Sequence, residues 1–263
     1  MAASATTSSP AARGSDAFFF GTSRFNPGDV INGQGGALDS LGLQGNYTGA
    51  SAVVVGAGQL IGVEQLVLLS NTDARFGGAG SGTPYSYTIT THDGNVAAGA
   101  RLIVQANTLA ADEVLNFNGS AETNGFFSIF SGNGADTLRG GAGNDTISGR
   151  GGADLLLGGG GNDSFLYSNL TDSTVAAKDT LGDFASGDLI DLSRLDAITG
   201  GANDAFAFIG SAAFSAAGQL RAVNTGGNSW LVEADVNGDT VADFALLLTV
   251  ADNHPITATD FVL

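Results

Sequence analysis

Cysteine is absent from this 263-residue chain, which excludes disulfides and thiolate metal sites. A chain working outside the cell without disulfides needs another staple. Basic residues are nearly as scarce. Lys178 is the one lysine, and with the arginines it makes nine cations against 26 acids, a net charge of −17. That balance argues against nucleic acid and anionic membrane surfaces as partners. No apolar run approaches the ~18 residues of a transmembrane helix, so none is expected. Met1–Asp16 is rich in Ala, Ser and Thr but has neither a basic segment nor a long apolar one. It is not a Sec-type signal peptide, and residues 1–17 read as a disordered leader.

Catalytic motifs are missing as well. The two histidines, His92 and His254, sit in Thr-His-Asp-Gly and Asn-His-Pro settings and read as surface loop residues. Neither belongs to a His-Glu-x-x-His, and no Gly-x-Ser-x-Gly, Gly-x-Gly-x-x-Gly or Walker loop occurs. The adjacent acids Asp112 and Glu113 have no partner pattern and read as a solvated turn. The chain is therefore not expected to be an enzyme.

Glycine is what the chain has in excess: 41 residues, many of them in Ser131–Tyr167, where one nine-residue phrase is written four times. The phrases begin at Ser131, Gly140, Gly149 and Gly158 and carry aspartates at Asp136, Asp145, Asp154 and Asp163. Two places after each aspartate stands an apolar residue: Leu138, Ile147, Leu156 or Phe165. The glycine half permits tight turns and leaves carbonyls unshielded. The aspartate adds a hard anionic oxygen, and such oxygens suit Ca2+. The remainder reads as a very short strand with its middle side chain inward. One unit cannot bury that side chain alone, so units must stack into a solenoid, two to a coil.

Before the phrases, residues 18–130 show β patterning without a helical period. Short apolar segments recur at Leu41–Leu43, Ala52–Val55, Leu66–Leu69, Tyr85–Thr91, Leu102–Val104, Leu115–Phe117 and Phe126–Phe130, between Gly, Asn, Asp and Ser turns. They read as an irregular right-handed parallel β-solenoid running directly into the phrases, with an antiparallel sandwich as the alternative. Gly33–Leu41 is a degenerate copy of the phrase with one extra residue, read as an ordinary turn with ion binding as the alternative. Asp235-Val-Asn237-Gly-Asp239 opens like an EF-hand loop, but Gly238 is misplaced and Leu246 stands where a glutamate is needed, so a hairpin turn is expected.

The phrases resemble the RTX, hemolysin-type calcium repeat, which forms a parallel β-roll. The stretch from Asp163 through Asp172, Asp179, Asp183 and Phe184 to Gly187-Asp188-Leu189, continued by Phe206, Phe214, Arg221, Trp230 and Phe244, resembles the segment that follows the repeats in serralysin-type C-terminal domains. Gly187-Asp188-Leu189 is one residue shorter than the family loop. The resemblance covers roughly residues 131–263. It implies an all-β fold: a parallel β-solenoid and calcium β-roll over residues 131–171, with a β-rich capping and secretion domain over residues 172–263.

In that family each ion lies between turns two phrases apart. The resemblance therefore implies one site from Gly132, Gly134 and Asp136 with Gly149, Gly151 and Asp154. A second would use Gly141, Gly143 and Asp145 with Gly158, Gly160 and Asp163. Asp172 with Gly152 would close a third, and Gly161 holds the same phrase position as Gly152. Ser131 and Arg150 replace family glycines. The C-terminal Asp260-Phe-Val-Leu263 resembles the uncleaved signal read by a type I ABC exporter. The implied protein is secreted, binds several Ca2+ ions and folds on meeting them. It would serve as a surface, biofilm-matrix or S-layer-like component, with self-association or cell-surface polysaccharide as further partners. The alternative is a secretion or accessory module of an extracellular hydrolase or lyase.

Overall fold

A computed structural model describes residues 14–36, 38–75, 82–200 and 203–263. Among them there is no α-helix, only strands and four short 3-10 turns. The expected leader falls largely on residues 1–13, outside the described residues. Its last residue already opens the strand Ala17–Gly21.

Two long sheets face each other. In the first, nine strands lie side by side in chain order of the coils, from Ala17–Gly21 at one end to Phe261–Val262 at the other, and every neighbouring pair is parallel. The second sheet has ten strands and is parallel from Val53–Val54 through Asp179–Phe184 to Phe244–Val250. This is the expected parallel solenoid rather than an antiparallel sandwich. Both sheets pass through residue 130 without a break, so the irregular coils and the phrases form one stack.

The register shows why the stack holds. On the nine-stranded sheet Leu41, Leu66, Val104, Ile129, Ile147, Phe165, Ile190 and Phe261 lie opposite one another in succession. On the other sheet Val53, Ile89, Phe117, Leu138, Leu156, Leu181 and Leu248 do the same. All belong to one buried core. Each such side chain contributes about 1.5–3 kcal/mol by leaving water. A three-residue strand such as Thr137–Arg139 buries only its middle residue, so no coil is stable without its neighbours.

At the C-terminal end the pattern changes to a cap. Gln219–Gly226, Ser229–Asp235 and Phe244–Val250 form an antiparallel meander on the second sheet. Arg221 pairs with Glu233 at 2.7 Å and lies 4.4 Å over the Phe214 ring. Asp235 sits at the mouth of the hairpin, its carboxylate taking N–H bonds from Asn237, Gly238 and Thr240, which is the turn expected there.

Candidate metal centre

Where the coils turn into their strands, the register stacks acids. Within the phrases the step between coils is 18 residues: Leu138 faces Leu156, and Ile147 faces Phe165. Asp136 and Asp154 therefore occupy one column, and Asp145 and Asp163 the other. After the phrases the step lengthens, yet the columns continue: Asp179 follows Asp154 and Asp188 follows Asp163. Each acid accepts the backbone N–H of the one before it. Asp136 donates to Asp154 Oδ1 at 2.7 Å and Asp154 to Asp179 Oδ1 at 2.9 Å. Asp145 donates to Asp163 Oδ1 at 2.8 Å and Asp163 to Asp188 Oδ1 at 2.9 Å.

These carboxylates are all but sealed from solvent, none of the six more than 3% exposed. Asp154, Asp163 and Asp179 each keep a buried Oδ2 without a hydrogen bond of good geometry. An uncompensated buried charge is costly, so the acid form is favoured when no cation is present. Burial pushes Asp154 up to about 9, with the neighbouring Asp179 charge adding to it. Burial likewise raises Asp163 and Asp179 to about 8. Asp136 and Asp145 rise less, to about 6, for the same reason. Their second oxygens are already engaged, Asp136 by the Ser131 hydroxyl and Asp145 by the Gly141 N–H at 2.7 Å. Ser131 thus fills the place of a family glycine with a donor.

The glycines form the other wall. A methyl group at Gly149 or Gly158 would come within 2.1 Å of Asp154 Oδ2 or Asp163 Oδ2 respectively. At Gly152 it would meet the Gly134 carbonyl at 2.2 Å, and at Gly161 the Gly143 carbonyl at 2.7 Å. At Gly134 and Gly143 it would meet the carbonyls of Glu113 and Gly125 at 2.1 and 2.2 Å. At Gly132 and Gly141 it would strike Leu109 and Glu122, whereas Gly151 and Gly160 have looser surroundings beside Asn133 and Ala142. Only glycine lets successive turns approach so closely. Among the described residues no three acidic or imidazole side chains converge on one point. An ion here must take most of its six to eight oxygens from backbone carbonyls, which Ca2+ accepts. Orphaned carboxylate oxygens beside bare carbonyl turns fit that cation.

Asp172, expected to close a third site with Gly152, has one carboxylate oxygen engaged by its own turn. Its Oδ2 accepts the N–H groups of Ser168 and Asn169 at 2.8 and 2.9 Å, capping the 3-10 turn Leu170–Asp172. It remains near enough to Asp154 to help raise that group, but Asp179 holds the column position. The pattern that reveals Asp179 and Asp188 was in the sequence: Asp179-Thr-Leu181 and Asp188-Leu-Ile190 repeat the Asp-x-apolar half of the phrase.

Neither histidine is a member of these columns, although His254 lies near enough to Asp188 for its charge to be felt there. His92 is exposed and caps a 3-10 turn, accepting the Gly94 N–H at 3.1 Å. His254 lies against Phe184 and contacts Asp252 at 2.6 Å. Glu113 departs from the solvated turn expected of it. It is fully buried and accepts N–H bonds from Asn71, Tyr85 and Ala110 at 2.8, 2.8 and 2.9 Å, while Asp112 is exposed.

A search of the curated proteins gave no match. The family model described as Peptidase M10 serralysin C terminal matches residues 7–263. It takes in the coils before the phrases as well, a wider reach than the sequence resemblance over residues 131–263. Domains of this family carry RTX-type calcium-binding repeats and belong to secreted proteins. With its acid columns in place and nearly its whole length matched, the chain belongs to the serralysin C-terminal family.

Proposed function

We propose that this chain is a non-catalytic surface, biofilm-matrix or S-layer-like component whose roll folds on extracellular Ca2+ after export by a type I ABC system. The observation that carries the folding half is the set of buried orphan oxygens on Asp154, Asp163 and Asp179. Without a cation the stacked acids oppose burial, which keeps the roll open where calcium is scarce and suits passage through an exporter. Outside, modules of this kind bind with Kd of roughly 10⁻⁴–10⁻³ M. An ion about a hundredfold above its Kd would stabilise the fold by about 2.7 kcal/mol per site, and weaker sites must cooperate. The net charge of −17 favours a second use of the cation, as a bridge between acidic neighbours.

The test is a calcium titration of chelated protein followed by circular dichroism, with sizing chromatography in parallel. We expect β signal to grow with calcium and self-association to accompany it. Unchanged signal would sink the folding switch, and a monomer at all calcium levels would sink the matrix role. The family description favours a second reading, since it names the C-terminal part of peptidases: a secretion or accessory module of an extracellular hydrolase or lyase. Activity of the purified protein on peptide and polysaccharide panels would favour that one. No zinc-protease motif is present in the sequence to support proteolysis.

A further inference from the structure

One column of the nine-stranded sheet can be followed from strand to strand. From the N-terminal end the acids that open their strands are Asp16, Asp39 and Glu64; the register then carries that column through Leu102 and Phe127, which lie within their strands, to Asp145, Asp163 and Asp188. Two acid ladders thus share one column, separated by two apolar occupants. The first lies wholly outside the four phrases.

Its hydrogen bonding copies the second. Asp16 donates its N–H to Asp39 Oδ1 at 2.6 Å, and Asp39 donates to Glu64 Oε2 at 2.7 Å. The preceding turns match too. Gly33 N–H binds the Ile61 carbonyl at 2.9 Å, as Gly140 binds Leu157 at 2.9 Å. A methyl group at Gly33 would lie 2.2 Å from the Gly62 carbonyl and 2.6 Å from the Asp39 carboxyl carbon. At Gly140 it would lie 2.4 Å from the Gly158 carbonyl and 2.1 Å from Asp145 Oδ2. Asp39 is 1% exposed, and its Oδ2 has no hydrogen-bond partner. The ion pairs formed among the described residues all lie elsewhere, at Arg75–Asp73, Arg221–Glu233 and around His254.

We propose that Asp39 and Glu64, with the Gly62 carbonyl and the glycine turn at Gly33 and Gly36, form a separate site for a divalent, oxygen-preferring cation such as Ca2+ near the N-terminal end of the solenoid. The later turn is short, Gly62-Val-Glu64 in place of six residues, and the longer glutamate arm makes up the reach. Two carboxylates and several carbonyls match the ligand chemistry of Ca2+ better than that of a transition metal. The site would pin the first coils together, where the stack has a neighbour on one side only.

The proposal rests on the reading that stacked acids in this chain take calcium, and the test separates the two. The full chain and its Asp39→Asn variant are loaded with calcium, and bound ions are counted by native mass spectrometry. Amide hydrogen exchange is followed with and without calcium. We expect Asp39→Asn to hold one ion fewer and to lose the calcium-dependent protection at residues 31–36 and 60–65, while protection at residues 136–166 persists. An unchanged ion count, or calcium protecting the phrases but not residues 31–36 in the unaltered chain, overturns the site and leaves the roll reading standing. Silence in both segments overturns both. If Asp39→Asn does not fold, Glu64→Gln is read by the same two measurements.

Discussion

The coils before the phrases and the coils within them are stacked by the same apolar ladders but fastened at their turns by different chemistry. In the earlier coils most buried polar groups are neutral or saturated, the exceptions being the Asp39 and Glu122 carboxylates, each with one unpaired oxygen. Gln59 binds the Gly56 N–H and the carbonyls of Asn26 and Asp29. Gln44 reaches the carbonyls of Ser70 and Asp73, and Tyr87 donates to Leu69 at 2.6 Å. Asn95 ties its own turn to the Gly56 carbonyl. Glu113 has three N–H partners. In the phrases the turns are held by aspartates, of which Asp154 and Asp163 leave an oxygen unpaired. A turn fastened by amides is complete as synthesised; one fastened by stacked carboxylates waits for a cation. One continuous solenoid therefore has conditional turns at the phrases and at the proposed Asp39 site, and a largely unconditional stretch between them.

The largest effect that would break this contrast is calcium withdrawal at pH 8. We expect hydrogen exchange to show the strands from Thr137–Arg139 to Ser164–Leu166 losing protection, while Tyr87–Thr90, Arg101–Gln105 and the segments packed on them keep most of theirs. Uniform loss along both sheets would show that the stack is a single cooperative unit and that the distinction has no thermodynamic meaning.

Next in size is a pair of substitutions. Glu113→Ala removes the buried acceptor of three half-buried N–H groups and should cost on the order of 3 kcal/mol at any calcium concentration. Asp154→Asn relieves repulsion yet removes a ligand, so it should stabilise the ion-free roll and abolish part of the calcium response. Thermal unfolding with and without calcium reads both. A Glu113→Ala penalty that calcium erased, or an Asp154→Asn effect that calcium left unchanged, would reverse the assignment of roles.

How much of this was legible beforehand follows the same division. All seven apolar segments expected before the phrases are strands or contain them, because alternation survives irregular spacing. The two-residue strands Ile31–Asn32 and Leu60–Ile61 were not, since two residues carry no period. Asp136, Asp145, Asp154 and Asp163 were read from strict spacing, and the register stacks them as that spacing requires. Asp179 and Asp188 were missed because the step between coils changes to 25 residues, which breaks a search by period but not by the Asp-x-apolar signature. Glu113 was misjudged as solvated because its partners Asn71 and Tyr85 come from distant turns that only the fold brings together.

A smaller effect is expected of pH. In the ion-free roll Asp154, Asp163 and Asp179 titrate at about 9, 8 and 8. In the unfolded chain they titrate near about 3.9. Between those values the folded state holds more protons, so stability is fully present below about pH 4 and is lost as pH rises toward 9. Protons thus stand in for calcium. Protein freed of metal by dialysis should show more β signal at pH 5 than at pH 8, with the difference confined to the phrases and the Asp179 coil stacked on them. Calcium should reverse the slope, since its binding displaces those protons. A flat profile without metal would mean that the acids are less buried than they are here.

The smallest expected effect is at Arg150, in the second position of its phrase at φ 61°, where the fourth phrase places Gly159 at φ 95°. A left-handed conformation costs a side chain about 1–2 kcal/mol. Glycine returns about 0.5–1 kcal/mol of that as lost chain entropy. Arg150→Gly should therefore stabilise by about 0.5 kcal/mol, a rise of one or two degrees in Tm by the usual ~2–4 °C per kcal/mol for a chain of this size. The guanidinium is also a tie between the two regions, donating to the Asn107 carbonyl at 3.0 Å from one side of residue 130 to the other. Gln34, at φ 60° in the same position of the degenerate phrase, is a second left-handed side chain of this kind. If Arg150→Gly destabilises instead, the bond to Asn107 outweighs the strain, and the phrases are anchored to the coils before them by that contact.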